Sequence, residues 1–182
     1  MKVSTTRFGV LEIEESGIIL MKGGILGFEQ LKEYVLICHD SKNPFLWLQS
    51  LQDGATAFVA INPFFIHPDY QPVLNDVILE RLELKKPEDI ALMVIVSIRS
   101  NPSLLTANLR APIVINVNKK TACQVVLEDS SYSIQYDILK NRDSLLQGLT
   151  NFSADIKEYN KIPCCEISAV TLKQFTLIRP LY

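Results

Sequence analysis

Ala91-Leu-Met-Val-Ile-Val-Ser-Ile-Arg99, ALMVIVSIR in one-letter code, contains the longest apolar stretch in the chain, Ala91 to Ile98, broken only by Ser97. It is strand-length and falls well short of the ~18 apolar residues that a membrane-spanning helix needs. Just before it, PEDI at 87–90 reads as a single helical turn feeding the strand. Outward in both directions lie similar short runs: Phe8 to Ile13, Ile18 to Met21, Tyr34 to Cys38, Phe45 to Leu51, Thr56 to Asn62, Ala111 to Val117 and Cys123 to Leu127. They are rich in Val and Ile and are separated by Gly, Pro, Asn and Asp. Such spacing predicts a mainly β fold, a sandwich or a small antiparallel barrel, rather than a parallel α/β sheet. Trp47, in an alternating strand, is expected in the core. One short central helix is expected after Asn75 or Asp76, either of which can cap it, with Val77, Ile78 and Leu82 on roughly one side. Pro87 must lie beyond its end.

From Asn141 the character changes. Leu145, Leu149, Phe152, Ile156 and Tyr159 recur every three or four residues, which is helical spacing, and Pro163 ends the pattern. CCEISAVTLKQFTLI then reads as one or two β-runs. Residues 1–139 carry 12 Lys+Arg and 16 Asp+Glu, a net of −4; residues 140–182 carry 6 and 4, a net of +2. We therefore divide the chain into a β domain at 1–139 and a C-terminal helix/strand extension at 140–182.

The bulk properties exclude several classes. A 182-residue chain with 48% hydrophobic and 21% charged residues is an ordinary globule, large enough to bury a core unaided. Its net charge of −2 argues against a dedicated nucleic-acid binder. MKVSTTRFGV contains no signal-peptide h-region, which predicts a cytoplasmic protein. Cys38, Cys123, Cys164 and Cys165 form no CxxC pair, so reduced thiols are expected rather than a metal or redox site. GGILGF at 23–28 is not GxGxxG; its glycines suit a loop with positive φ. No GxSxG or HExxH occurs. Cys38, His39 and Asp40 are adjacent, and strand neighbours point to opposite faces, so they make no dyad. His67 with Asp69 offers too few ligands for a structural metal. The Lys85-Lys86 and Lys119-Lys120 doublets read as solvated turn charges. No catalytic residue, cofactor or metal is expected.

NPFFIHPDYQP at 62–72 stands out as a surface. Pro63, Pro68 and Pro72 stiffen it and keep it out of regular structure. Phe64, Phe65, Ile66 and Tyr70 sit beside Asp69 and Asp76, a composition that fits a protein-binding edge. The plainer alternative is that the two phenylalanines, and Tyr70 with them, cap the core.

In order along the chain come TRFG at 6–9, GILGFE at 24–29, PFLWLQS at 44–50, FVAINPFFIHPDY at 58–70, TANLRAPIVIN at 106–116 and QVVLEDSSYSIQY at 124–136. This series resembles the flagellar assembly factor FliW family over about residues 3–138. The resemblance implies a small, non-enzymatic, barrel-like protein of the bacterial cytoplasm. It implies two partners, the RNA-binding translational repressor CsrA and flagellin. Free flagellin would occupy the factor; once flagellin is exported, the factor would bind CsrA, away from its RNA surface, and relieve repression. An acidic body suits a basic partner. The expected contact residues are Phe64, Phe65, Asp69, Tyr70, Gln71 and Asp76. The chain departs from the family at Gln71, where an acidic residue is common, and one charge fewer weakens pairing with CsrA. A flagellin-binding export chaperone without CsrA antagonism is the alternative. Nothing resembles a coiled coil, which suits a monomer; the net negative charge and the lack of a long apolar run predict no direct nucleic-acid or membrane partner.

Overall fold

A computed structural model of the chain describes residues 1–38, 43–99, 104–128, 131–140 and 143. Within them the strands are β1 (Lys2–Thr5), β2 (Gly9–Glu12), β3 (Ile19–Met21), β4 (Glu33–Ile37), β5 (Phe45–Ser50), β6 (Ala57–Ile61), β7 (Ile90–Ile98), β8 (Leu105–Ala107), β9 (Ile113–Asn116), β10 (Thr121–Gln124) and β11 (Tyr136–Asp137). One helix, α1 (Asp76–Arg81), lies between β6 and β7. The 140–182 extension, with its expected helix, its β-runs and both Cys164 and Cys165, lies outside the described residues apart from Lys140 and Asp143, as does His39.

β7 is the seam of the molecule. Its first half, Ile90 to Met93, pairs with Asn116 to Ile113 of β9. Its second half pairs on one side with β6, Val94 to Val96 against Ile61 to Val59, and on the other with β8. Strands β7, β6, β5, β4, β3, β10 and β9 thereby close into a seven-stranded barrel. All its pairings are antiparallel except β10 with β3, which is parallel. Closure leaves these strands no free edge.

The unbroken apolar run in β7 follows from burial on both faces. Ala91 and Met93 point into the barrel, where they meet Ile19, Met21, Tyr34, Leu36, Leu46, Leu48, Ile113 and Ile115. Ile90, Leu92, Val94 and Val96 point outward under a second apolar cluster with Ile61, Ile66, Tyr70, Leu82, Leu109 and Ile138. A strand covered on both sides loses the polar alternation of a half-exposed one. Beyond it, the β1–β2 hairpin lays Val3 over Val35 and Leu51 on a third patch.

Asn75 caps α1, its side-chain oxygen accepting from the Ile78 amide at 3.0 Å. Leu82 follows the helix and is fully buried, while Val77 faces solvent. Pro87–Asp89 forms the single 3-10 turn expected before β7. Cys123 is buried, and burial pushes the pKa of its thiol up.

Two expectations are corrected. Trp47 is not core: Leu46 and Leu48 fill the barrel, and Trp47 lies half-buried on the other face, edge-on to Phe8 at 5.7 Å and under the Arg7 guanidinium at 4.3 Å. The lysine doublet at 119–120 divides. Lys119 stays exposed near Glu83, at 3.4 Å, but Lys120 takes a positive φ of 55° and turns a buried ammonium inward. Burial pushes the pKa of this ammonium below the usual lysine range.

Tyr34 is fully buried in the barrel, and its hydroxyl has no hydrogen-bond partner among the described residues. Burial pushes its ionisation up to about 12, whereas an unfolded tyrosine ionises near about 10. Its contribution is intact below about pH 10 and is lost as pH rises toward about 12, because the unfolded chain gives up the proton first. Tyr34→Phe should therefore soften the alkaline loss of stability and, by deleting an orphan hydroxyl, raise stability by about 1 kcal/mol at neutral pH. Urea midpoints at neutral and alkaline pH test this; an unchanged alkaline slope would contradict it.

Candidate partner-binding surface

The proline-rich loop leaves β6 through a capped turn. Asn62 is buried, and its side-chain oxygen accepts from the Phe64 amide at 3.0 Å. Pro63 opens a 3-10 turn, Pro63–Phe65, at the position where its missing N–H costs nothing. The amides of Ile66 and His67 then both donate to the Pro63 carbonyl, at 3.1 and 2.8 Å, and Tyr70 N–H donates to the His67 carbonyl at 3.0 Å.

Three tyrosines clamp the loop to the body. The Tyr70 hydroxyl donates to the Leu109 carbonyl at 2.6 Å. Burial, then the neighbouring Tyr132, pushes the pKa of its phenol above the usual tyrosine range. The Tyr136 hydroxyl donates to the Ile66 carbonyl at 3.1 Å. The Tyr132 hydroxyl accepts from the Gln71 amide at 3.0 Å. The rings pack as well as bond. Tyr70 stands edge-on to Tyr132 at 4.7 Å and to Phe64 at 6.3 Å, and His67 stacks on Tyr136 at 5.7 Å. Each aromatic pair is worth about 0.5–1.5 kcal/mol beyond its buried area.

The six expected contact residues thus fall into three sets. Tyr70 is fully buried, so it holds the loop from beneath and presents no face to a partner. Phe64 and Phe65 are half-buried against the apolar clusters. Asp69, Gln71 and Asp76 are exposed. Asp76 occupies the first turn of α1, where a carboxylate is favoured by the helix dipole. Between and beside them stand Val73, 85% exposed, and Val77, 67% exposed. Val73 was not singled out in the sequence, and Val77 was expected on the same side of the helix as Ile78 and Leu82; the structure corrects this, with Leu82 buried and Val77 facing solvent. The clamp residues Tyr132 and Tyr136 were also missed, although their four-residue spacing in SSYSIQY was visible. The edge therefore carries apolar groups and carboxylates on a pre-set backbone, a form suited to docking a protein at low ordering cost.

Residues 2–138 match the family model described as FliW protein. The chain belongs to the FliW family. A flagellar assembly factor FliW from Syntrophus aciditrophicus is 72% identical over 148 residues, covering 81% of this chain and 94% of that relative. One from Caldicellulosiruptor saccharolyticus is 44% identical and covers 77% of this chain and 91% of that relative. A crystal structure of the flagellar assembly factor FliW superposes with a TM-score of 0.71 at 38% identity, over 76% of this chain and 96% of that one. The FliW match spans the barrel, the proline-rich loop and the tyrosine clamp, and ends at residue 138. Among the described residues, no helix is long and apolar enough to cross a membrane.

Proposed function

We propose that this FliW-family chain is a non-enzymatic cytoplasmic binder that switches between a CsrA-type translational repressor and flagellin, and so couples flagellin synthesis to export. Membership of a family of flagellar assembly factors supports the process. The observation that carries the binding role is the clamped loop, which exposes Asp69, Gln71, Val73, Asp76 and Val77 on a backbone fixed by three tyrosines. A basic RNA-binding protein is attracted to the carboxylates, and the exposed valines supply apolar contact. A switch of partners requires only coupled binding free energies, not chemistry.

Titration calorimetry against CsrA from the same organism, with and without saturating flagellin, tests the switch. CsrA should bind and flagellin should block it. Binding of flagellin without any binding of CsrA would instead favour an export chaperone, with Gln71 as the first suspect. Asp69→Lys combined with Val73→Asp should weaken CsrA binding at least about tenfold, with the melting temperature little changed because both side chains are exposed. The wild-type affinity should fall as salt rises; an affinity flat from low to high salt would remove the carboxylates from the interface.

A further inference from the structure

A second surface shares no lining residue with the clamped loop. A cleft of about 320 Å³ is floored by Ile25, Phe58 and Ile95 and lipped by Leu26 and Ile134. The floor belongs to the barrel core: Ile25 is buried in it, and Phe58 and Ile95 pack half-buried against it. Barrel mouths are common ligand sites, and the volume falls at the small end of their usual range of roughly 300–1,000 Å³. The lips are 58% and 57% exposed. Leu26 is held there by its own loop. Gln124 accepts from its amide at 2.9 Å and donates onward to the Ala111 carbonyl at 3.2 Å. Gly24, at φ +78°, brings the loop so close that a Cβ there would meet Glu29 Cα at 2.6 Å.

The polar groups of the cleft are donors. Arg99 is its one ionisable lining residue, and the guanidinium has no anionic partner among the described residues. Asn108 Oδ1 accepts from the Arg110 and Ala111 amides at 3.2 and 3.1 Å, while the side-chain NH2 of Asn108 has no partner among the described residues. The oxygens of Asn108 and Gln124 are thus occupied within the chain. What the cleft offers to a ligand is N–H groups and a positive charge. The rest of the body has the opposite sign, with a net of −4 over residues 1–139.

We infer that the cleft docks an apolar segment of a partner protein that carries a carboxylate. Large apolar side chains of the segment sit on Ile25, Phe58 and Ile95, and its carboxylate pairs with Arg99, with the Asn108 NH2 as a further donor. Charge complementarity selects this occupant, since a carboxylate forms charge-assisted bonds with a guanidinium that nothing else neutralises. The lips select a protein rather than a small molecule. Leu26 and Ile134 stand at the rim, so a small molecule filling the cavity leaves them wet, whereas a chain crossing it buries them. The acidic clamped loop favours basic partners, so the two surfaces select segments of opposite charge. The inference does not rest on the identity of the partners at the loop.

Selection of a random peptide display library on the full chain, with Arg99→Glu and Ile134→Asp as counter-screens, tests it. Both side chains are exposed, so both variants should keep the wild-type melting temperature. A class of peptides joining large apolar residues to Asp or Glu should be enriched, and each substitution should weaken its binding at least about tenfold. On the wild type, amidating the acidic side chain of such a peptide should weaken binding by a similar factor. Arg99→Gln should then add nothing, as for two groups that form one pair. In methyl NMR the bound peptide should shift Ile25, Leu26, Ile95 and Ile134. Absence of such a class, or a class untouched by both substitutions, overturns the inference. So does a selected peptide indifferent to the loss of its carboxylate. Octanoate displacing the peptide at equal concentration would make a small amphiphile the occupant, and lip methyls that shift on dilution of the free chain would make it a second copy; either result also overturns it.

Discussion

Tyr70→Ala is expected to destabilise the protein by about 4 kcal/mol, the range for deleting a large buried ring. Tyr70 is fully buried, and its ring stands between Phe64, His67 and Tyr132. Its removal leaves a cavity and strands the Leu109 carbonyl, which has the Tyr70 hydroxyl at 2.6 Å. Tyr70→Phe separates the two effects. It keeps the ring and loses only the hydrogen bond, so it should cost about 1–2 kcal/mol. Because the hydroxyl's bond to the Leu109 carbonyl helps fix the loop, Tyr70→Phe should also weaken partner binding although no partner can touch Tyr70. Denaturant midpoints at constant slope give the stabilities. A Tyr70→Ala loss below about 1 kcal/mol would mean that the loop is not clamped through this residue.

Gly54→Ala should cost about 3 kcal/mol, at the upper end for overpacking a close contact. The reason lies across the chain. A Cβ at Gly54 would sit 2.1 Å from the Ser4 carbonyl oxygen and 3.2 Å from Thr5 Cα, both backbone atoms that cannot swing aside. The Gly54 carbonyl also accepts from the Thr6 amide at 3.0 Å. The substitution therefore pries the β1–β2 hairpin from the barrel and uncovers Val3, Val35 and Leu51. Hydrogen exchange should report the damage locally, with faster exchange in residues 2–12 and little change in β7. Uniformly faster exchange would show that the hairpin is not a separable unit.

Much of the fold was legible in the chain. Val/Ile-rich runs between turn residues marked most of the barrel strands, and Asn75 and Pro87 bracketed the helix. β1, β8 and β11 were missed because they are two to four residues long and carry little apolar pattern. Trp47 was misplaced because alternation gives two faces without saying which is inside; Leu46 and Leu48 took the interior. The loop at 62–72 was legible as rigid, since proline fixes φ locally. Which of its side chains face outward was not, because that depends on tyrosines some 60 to 70 residues away.

The sequence by itself determined the strand content, the capped helix and membership of the FliW family, since propensity, caps and motif order are local or linear properties. Only the tertiary structure decided that β7 closes the barrel by pairing with β6 and β9 together, that Tyr70 is an anchor while Asp69, Val73 and Val77 are the reachable groups, and that β6, β7, β8, β10 and the loop after β3 meet at a cleft. Those outcomes rest on contacts between distant residues, and burial is a property of the packed chain rather than of any one residue in it.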